Sequence, residues 1–146
     1  MTVRMRNARP EDAEPLHAML HHAYADRGKE RPLIDTIERV RADIQEGLVL
    51  VAEDSNGQIV GSVMLRRIVN IRRLAVTPEM KGEGLGAQLL DAALARAKED
   101  GFAFAMLDTI PTHPWLPKFY RDHGFEERCM ETFPDGAEWL QFRKPL

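Results

Sequence analysis

Asn70-Ile71-Arg72-Arg73-Leu74-Ala75-Val76, Thr77-Pro78-Glu79-Met80 and Lys81-Gly82-Glu83-Gly84-Leu85-Gly86-Ala87 run on without a break. The first seven residues read as a strand, the last seven as a glycine-rich turn that opens a helix. That helix is the clearest in the chain. Leu85, Leu89, Ala93 and Ala97 recur at helical spacing with Leu90 and Leu94 beside them, and Gly101 stands where a helix ends. A helix leaves its first N–H groups without internal partners, and they carry a positive partial charge. A glycine turn leading into such an end can wrap an anion, because glycine allows close backbone approach and unusual dihedral angles.

Two anion-binding patterns do not fit. A nucleoside-triphosphate loop requires Lys then Ser or Thr after its last glycine, and this chain has Ala87-Gln88. Gly82, Gly84 and Ala87 match the spacing of a dinucleotide fingerprint, with Asp108 as the ribose-binding acid. That fingerprint's first glycine lies close behind its strand, whereas residues 77–81 intervene here. Beyond Asp108 the chain has room for one short helix and a hairpin, too little to complete a doubly wound sheet.

Outward from this stretch the pattern alternates. Val3 to Ala8 predicts a strand and Glu11 to Ala25 a helix, with Ala13, Leu16, Leu20, Ala23 and Tyr24 at helical spacing. Arg27 to Pro32 reads as a loop, and Asp35 to Glu46 as a second helix ended by Gly47. Leu48 to Glu53 and Ile59 to Leu65 form a hairpin across Asp54-Ser55-Asn56-Gly57, where Asn-Gly predicts a type I′ turn. A break is expected near Ile68 to Asn70. Phe102 to Thr109 is a strand and Pro114 to His123 a short helix. Phe125 to Phe133 and Ala137 to Arg143 are strands joined at Pro134-Asp135-Gly136. The expected architecture is α/β, a mixed, mostly antiparallel sheet with helices on both faces, in a single domain over residues 1–146.

Composition narrows the function classes. The net charge of −3 gives no global attraction to nucleic acid or anionic lipid. Arg66, Arg67, Arg72 and Arg73 cluster, but such a group more often decorates a strand. No apolar run approaches the ~20 residues of a membrane span. The single cysteine, Cys129, excludes an internal disulfide and a cysteine-based zinc site, and makes a cytoplasmic location the default. His17 and His21 stand four apart with no evident third ligand, so no metal site is expected.

The central stretch resembles motif A of the GNAT superfamily of N-acetyltransferases, Arg/Gln-x-x-Gly-x-Gly/Ala after a strand of the type x-x-Leu-x-Val. Lys81-x-x-Gly84-x-Gly86 matches, with Lys in place of the usual Arg or Gln; the charge stays and the guanidinium fork is lost. Lys118-Phe119-Tyr120-Arg121-Asp122-His123-Gly124-Phe125 resembles the family's motif B, with Leu107-Asp108-Thr109 at the usual distance upstream. The resemblance covers nearly the whole chain. It implies a GNAT-like seven-stranded sheet with about four helices.

It also implies a function: transfer of acetyl from acetyl-CoA to the amine of a small molecule by direct attack. Leu74, Ala75 and Val76 would hold the pantetheine and polarise the thioester. Lys81, Gly82, Glu83, Gly84, Leu85, Gly86 and Ala87 would hold the pyrophosphate. His113 falls where relatives contact the pantetheine arm; its other reading is a cap ahead of Pro114. Tyr120 is the implied general acid for the leaving thiolate. Many relatives have a glutamate at the position of Asn70, and arylalkylamine acetyltransferases have histidines in line with Asn70 and Arg72. Neither Asn nor Arg accepts a proton at neutral pH, so deprotonation falls to water, to another side chain, with His113, Glu79 and Asp108 as candidates, or is not needed because the amine arrives neutral. Asn70, Arg72 and Tyr24 are the candidate acceptor contacts, with Arg27, Glu30 and Arg31 in the same region. Arg72 suits an acceptor bearing a carboxylate. The resemblance allows a homodimer. The alternative is an acyl-CoA-binding sensor or regulatory module with little catalysis, motivated by Asn70.

Overall fold

A computed structural model describes residues 2–25, 36–47, 49–66 and 70–146. Seven strands and four α-helices alternate along them: β1 (Val3–Asn7), α1 (Ala13–Tyr24), α2 (Ile37–Gln45), β2 (Val49–Asp54), β3 (Ile59–Arg66), β4 (Asn70–Val76), α3 (Leu85–Glu99), β5 (Phe104–Thr109), α4 (Leu116–Asp122), β6 (Glu126–Thr132) and β7 (Glu138–Pro145). The strands are hydrogen bonded in the order β1-β2-β3-β4-β5-β7-β6. β1/β2, β2/β3, β5/β7 and β6/β7 are antiparallel; β4/β5 is parallel. The element order and the mixed sheet agree with the sequence expectation. Of the break expected near Ile68 to Asn70, residues 68–69 lie outside the described residues and Asn70 already begins β4; the Arg27–Pro32 loop lies outside them too.

The chain divides into two compact units. The first spans Met1–Leu65 and Arg73–Ala93. Its apolar cluster joins Leu16, Leu20 and Ala23 of α1 and Val40 and Ile44 of α2 to Val49, Val51, Met64 and Ala75 of the strands. On β3 the side chains alternate. Met64 faces this cluster, whereas a Cβ on Gly61 would lie 2.7 Å from Leu89 Cδ1 and 3.4 Å from Leu85 Cδ2 of α3. So α1 and α2 cover one face of these strands and α3 the other. Thr36 caps α2 by accepting from the Arg39 amide at 3.2 Å. Arg6 binds Asp12 in a fork (2.6 and 3.0 Å) and Glu53 (2.7 and 3.0 Å), tying β1 and β2 to the entry of α1.

The β2–β3 turn corrects the sequence expectation. Gly57 N–H bonds to the Asp54 carbonyl at 3.0 Å and Asp54 N–H to the Gln58 carbonyl at 2.9 Å, so the loop is Ser55-Asn56-Gly57. It is a three-residue loop with Gly57 at φ +81°, not a two-residue type I′ turn. The Asp54 carboxylate explains the difference: it accepts from the Asn56 and Gln58 amides, both at 2.9 Å, and so stabilises the longer loop.

The second unit spans Arg66–Arg72 and Leu94–Leu146. Ala105, Leu107 and Thr109 of β5 alternate onto one buried face, with Leu140 and Phe142 of β7 beside them in register. Tyr120 of α4 packs there, 6.0 Å from Phe142 and 5.9 Å from Phe125 between ring centroids. β6 is exposed along its length and carries a bulge between Glu127 and Cys129. Among the described residues no helix is long and apolar enough to cross a membrane.

Candidate active site

The glycine turn belongs to the first unit. β4 delivers it: Thr77 N–H bonds to the Val60 carbonyl at 2.8 Å, and a single 3-10 turn comes next at Pro78–Met80. Gly82 and Gly84 then adopt φ +85° and +80°, with Glu83 between them. Alternating left-handed positions curl consecutive amides toward a common point. No other atom lies within 4 Å of a Cβ built on either glycine, so the turn is open on its outer side. Lys81, Gly82, Glu83 and Gly84 are all exposed. Among the described residues, no amide from Gly82 to Ala87 donates to a backbone carbonyl; Gln88 N–H to the Gly84 carbonyl (3.1 Å) is the first such bond of α3. Leu85 is buried and anchors the helix start, with Gly86 and Ala87 half-buried behind it. These are the elements of an anion cradle.

Glu79 stands at the head of the turn. Its carboxylate accepts from the Thr77 hydroxyl at 2.6 Å and pairs with His22 Nε2 at 2.7 Å. The Thr77 and His22 contacts hold its pKa down to about 2. An exposed carboxylate that acidic is a poor general base. Tyr24, two residues beyond His22 on α1, packs partly against the first unit's core.

On β4, Ile71 and Ala75 are buried, whereas Arg72 is exposed and Asn70, Leu74 and Val76 are half-buried. Asn70, Arg72 and Leu74 therefore share the more open face, as their spacing predicts. The side chain of Arg73 lies outside the described residues.

A family model described as the acetyltransferase (GNAT) domain matches residues 21–146. The chain belongs to the GNAT acetyltransferase family. An uncharacterized N-acetyltransferase of Chlorobaculum tepidum is 27% identical over 136 residues, 89% of this chain and 79% of the relative. One of Schizosaccharomyces pombe is 29% identical over 85 residues, 55% of this chain, and the match spans about half (52%) of that relative's length. The crystal structure of a PaiA N-acetyltransferase from Thermoplasma acidophilum superposes with TM-score 0.80 at 22% identity over 100% of both chains.

The GNAT motif B segment lies in the second unit and separates into parts with different physical duties. Gly124 N–H bonds to the Arg121 carbonyl at 3.0 Å and Phe125 N–H to the Tyr120 carbonyl at 3.0 Å. With Gly124 at φ +87° this is a Schellman cap, and the Phe125–Tyr120 contact is its usual apolar companion. The Gly-Phe ending of the motif thus closes α4 and wedges the Tyr120 ring, which is 7% exposed, among Phe119, Phe125 and Phe142.

His113 Nδ1 accepts from the amides of Leu116 (3.1 Å) and Trp115 (3.3 Å), so it caps α4. A neutral ring with Nδ1 accepting carries its proton on Nε2 and has no further lone pair to act as base. Asp108 is an exposed carboxylate on β5, in register with Gln141.

His17 and His21 approach to 3.1 Å between Nε2 atoms. The described residues contain no cluster of three or more metal-ligating side chains.

Sequence reasoning passes over two residues. Gly61 is where α3 approaches β3 most closely, and an isolated glycine inside a strand is the available signal. Thr109 is a buried hydroxyl that carries no such signal.

Proposed function

We propose that this GNAT domain transfers the acetyl group of acetyl-CoA to the amine of a small molecule, and that Lys81 to Ala87 bind the pyrophosphate. The observation that carries the reading is the pair of positive-φ glycines, Gly82 and Gly84, ahead of α3, with the intervening amides unengaged. The coenzyme A in the Thermoplasma acidophilum PaiA structure supports the same substrate.

In this reading the Leu74–Val76 backbone on β4 holds the pantetheine arm and orients the thioester carbonyl. The amine attacks that carbonyl directly. Charge builds on the oxygen as the tetrahedral species forms, and oriented N–H donors lower its energy. The C–S bond then breaks and Tyr120 gives its proton to the departing thiolate. A thiol of pKa ~8.5 leaves fairly well unaided, so this proton is worth about 10²-fold. The packing around the Tyr120 ring restricts its phenol to few orientations, which suits a proton donor.

Glu79 is too acidic to serve as base, and His113 is committed to capping α4. The acceptor then enters as the free amine, or loses its proton to water or to Asp108, which is an exposed carboxylate on β5. Asn70, Arg72 and Tyr24 form its contacts. A guanidinium on the open face of β4 disfavours a bare alkylammonium and favours an acceptor that also bears a carboxylate.

The test is release of free thiol from acetyl-CoA over a panel of amines with and without carboxylates. Turnover with at least one amine is expected. A protein that binds acetyl-CoA but releases no thiol with any amine would instead be a sensor module.

A further inference from the structure

The chain has five histidines, and three of them are held by groups other than histidine. His22 Nε2 pairs with Glu79 at 2.7 Å, His113 Nδ1 accepts the first amides of α4, and His123 Nδ1 meets the Phe119 carbonyl at 2.7 Å. His17 and His21 of α1 meet each other instead. Their Nε2 atoms stand 3.1 Å apart and their ring centroids 4.3 Å apart, with the ring planes tilted by 56°.

Residues four apart lie on one face of a helix, one turn above the other. The helix behind this pair is held firmly. Leu16 and Leu20, each one position earlier, are both 2% exposed and belong to the apolar cluster of the first unit. His17 is half-buried and His21 exposed, so the pair stands at the rim of the apolar stripe and within reach of solvent.

Two imidazole nitrogens approach this closely in two ways. One ring donates Nε2–H to the lone pair of the other, or both lone pairs bind one ion. Metal–imidazole bonds of about 2.0–2.1 Å put two nitrogens about 2.9 Å apart at a right angle and about 3.4 Å apart at the tetrahedral angle. The separation of 3.1 Å falls between these limits, so an ion would need no movement of the backbone. Both rings would then carry their protons on Nδ1.

We propose that His17 and His21 form a two-point chelate for one borderline divalent transition-metal ion, of the class of Zn2+ and Ni2+, on the solvent side of α1. Neutral imidazole suits such ions, whereas Mg2+ and Ca2+ take oxygen donors. Histidines at i and i+4 on a helix have the spacing that zinc uses elsewhere. The two side chains fill two positions of the ion and water fills the rest, so it stays open to exchange. Bound there, the ion ties successive turns of α1 together ahead of Tyr24 at the end of the helix. The proposal lies within one helix of the first unit and does not depend on the acyl-CoA reading.

The test is titration calorimetry of the full chain, first freed of metal by a chelator, with Zn2+ and then Ni2+. Mildly alkaline pH keeps imidazole a neutral ligand. Wild-type protein should take up one ion per chain. His17→Gln and His21→Gln should each weaken it by about tenfold or more, since the chelate is left with one leg. Cys129→Ser removes the exposed thiol and His22→Gln the neighbouring imidazole, and both should keep the wild-type affinity. Zn2+ should raise the Tm of the wild type and not that of the His17→Gln/His21→Gln double variant, and Mg2+ should raise neither. Absence of saturable Zn2+ binding overturns the proposal. So does binding that survives in the double variant, or that Cys129→Ser or His22→Gln abolishes, because the ion would then sit elsewhere.

Discussion

One methyl group at Gly61 should disturb both the packing of α3 and the turn that α3 begins. A Cβ there would sit 2.7 Å from Leu89 Cδ1, 3.2 Å from the Ala75 carbonyl oxygen and 3.4 Å from Leu85 Cδ2. Leu89 and Leu85 are 0% and 3% exposed, so neither can swing into solvent, and the third contact is backbone. Overpacking of this kind costs about 1–3 kcal/mol. Replacing glycine within a strand returns roughly 0.5–1 kcal/mol of backbone entropy. The net loss for Gly61→Ala is then about 1–2 kcal/mol, read as a drop in Tm of roughly 3–8 °C for a chain of this size. Because Leu85 is the first residue of α3, coenzyme A affinity should fall as well. The double variant Gly61→Ala/Leu89→Val makes room for the methyl group, so it should lose less than the sum of the singles. Thermal unfolding of the four proteins checks this. An unchanged Tm in Gly61→Ala, or strict additivity in the cycle, would refute the claim that close approach of α3 demands this glycine.

Tyr120→Phe should keep coenzyme A binding and lower kcat by about 10²-fold, with loss of the alkaline limb of the rate profile, measured by thiol release across pH. Arg72→Ala should raise KM about tenfold for an acceptor with a carboxylate and spare KM for acetyl-CoA; best activity on neutral arylalkylamines, unaffected by the change, would remove Arg72 from the site. Arg6 holds the carboxyls of Asp12 and Glu53 below their ordinary values, so their contribution to stability is complete above the unfolded carboxyl range. It is lost as pH falls through the lowered folded values, and Arg6→Met should flatten that acid limb in a Tm-against-pH series. Asp12→Asn removes one charge from the part-buried Arg6–Asp12 pair and should cost about 2–3 kcal/mol in denaturant unfolding near neutral pH.

Periodicity makes most of the fold readable. The stripe Leu85, Leu89, Ala93 and Ala97 is buried to within 3% exposure, and β4 alternates as its residues suggest. The glycine turn is readable because three glycines at alternate positions stand ahead of a strong helix, and Gly82 and Gly84 both take positive φ. The hidden features depend on partners distant in sequence or on competing local bonds. Asn56-Gly57 suggests a two-residue turn, but the Asp54 carboxylate ahead of it recruits two amides and lengthens the loop. Gly61 is needed because of Leu89 and Ala75, which the strand pattern around it does not contain. By sequence His113 is a ligand contact or a cap with equal force. The Nδ1 distances to the α4 amides show the cap, a role that only the folded chain reveals and that does not exclude a contact through Nε2–H. The Gly124-Phe125 ending of motif B carries a family signature without its reason, which is closure of α4 onto Tyr120.

The central claim is that the Gly82–Ala87 amides bind the pyrophosphate of acetyl-CoA, and Gly84→Asp tests it most directly. Gly84 is at φ +80°, which aspartate tolerates better than most residues, and its Cβ meets nothing within 4 Å, so the variant should fold. A carboxylate about 4 Å from one phosphate charge is opposed by roughly 1 kcal/mol in bulk water and 4 kcal/mol near a protein surface. Together with disturbed amide contacts the loss should be about 3 kcal/mol, a fall in affinity of roughly 150-fold. Titration calorimetry with coenzyme A on wild-type and Gly84→Asp protein, each confirmed folded by thermal unfolding, should show that fall. Equal affinity in the two folded proteins would contradict the account.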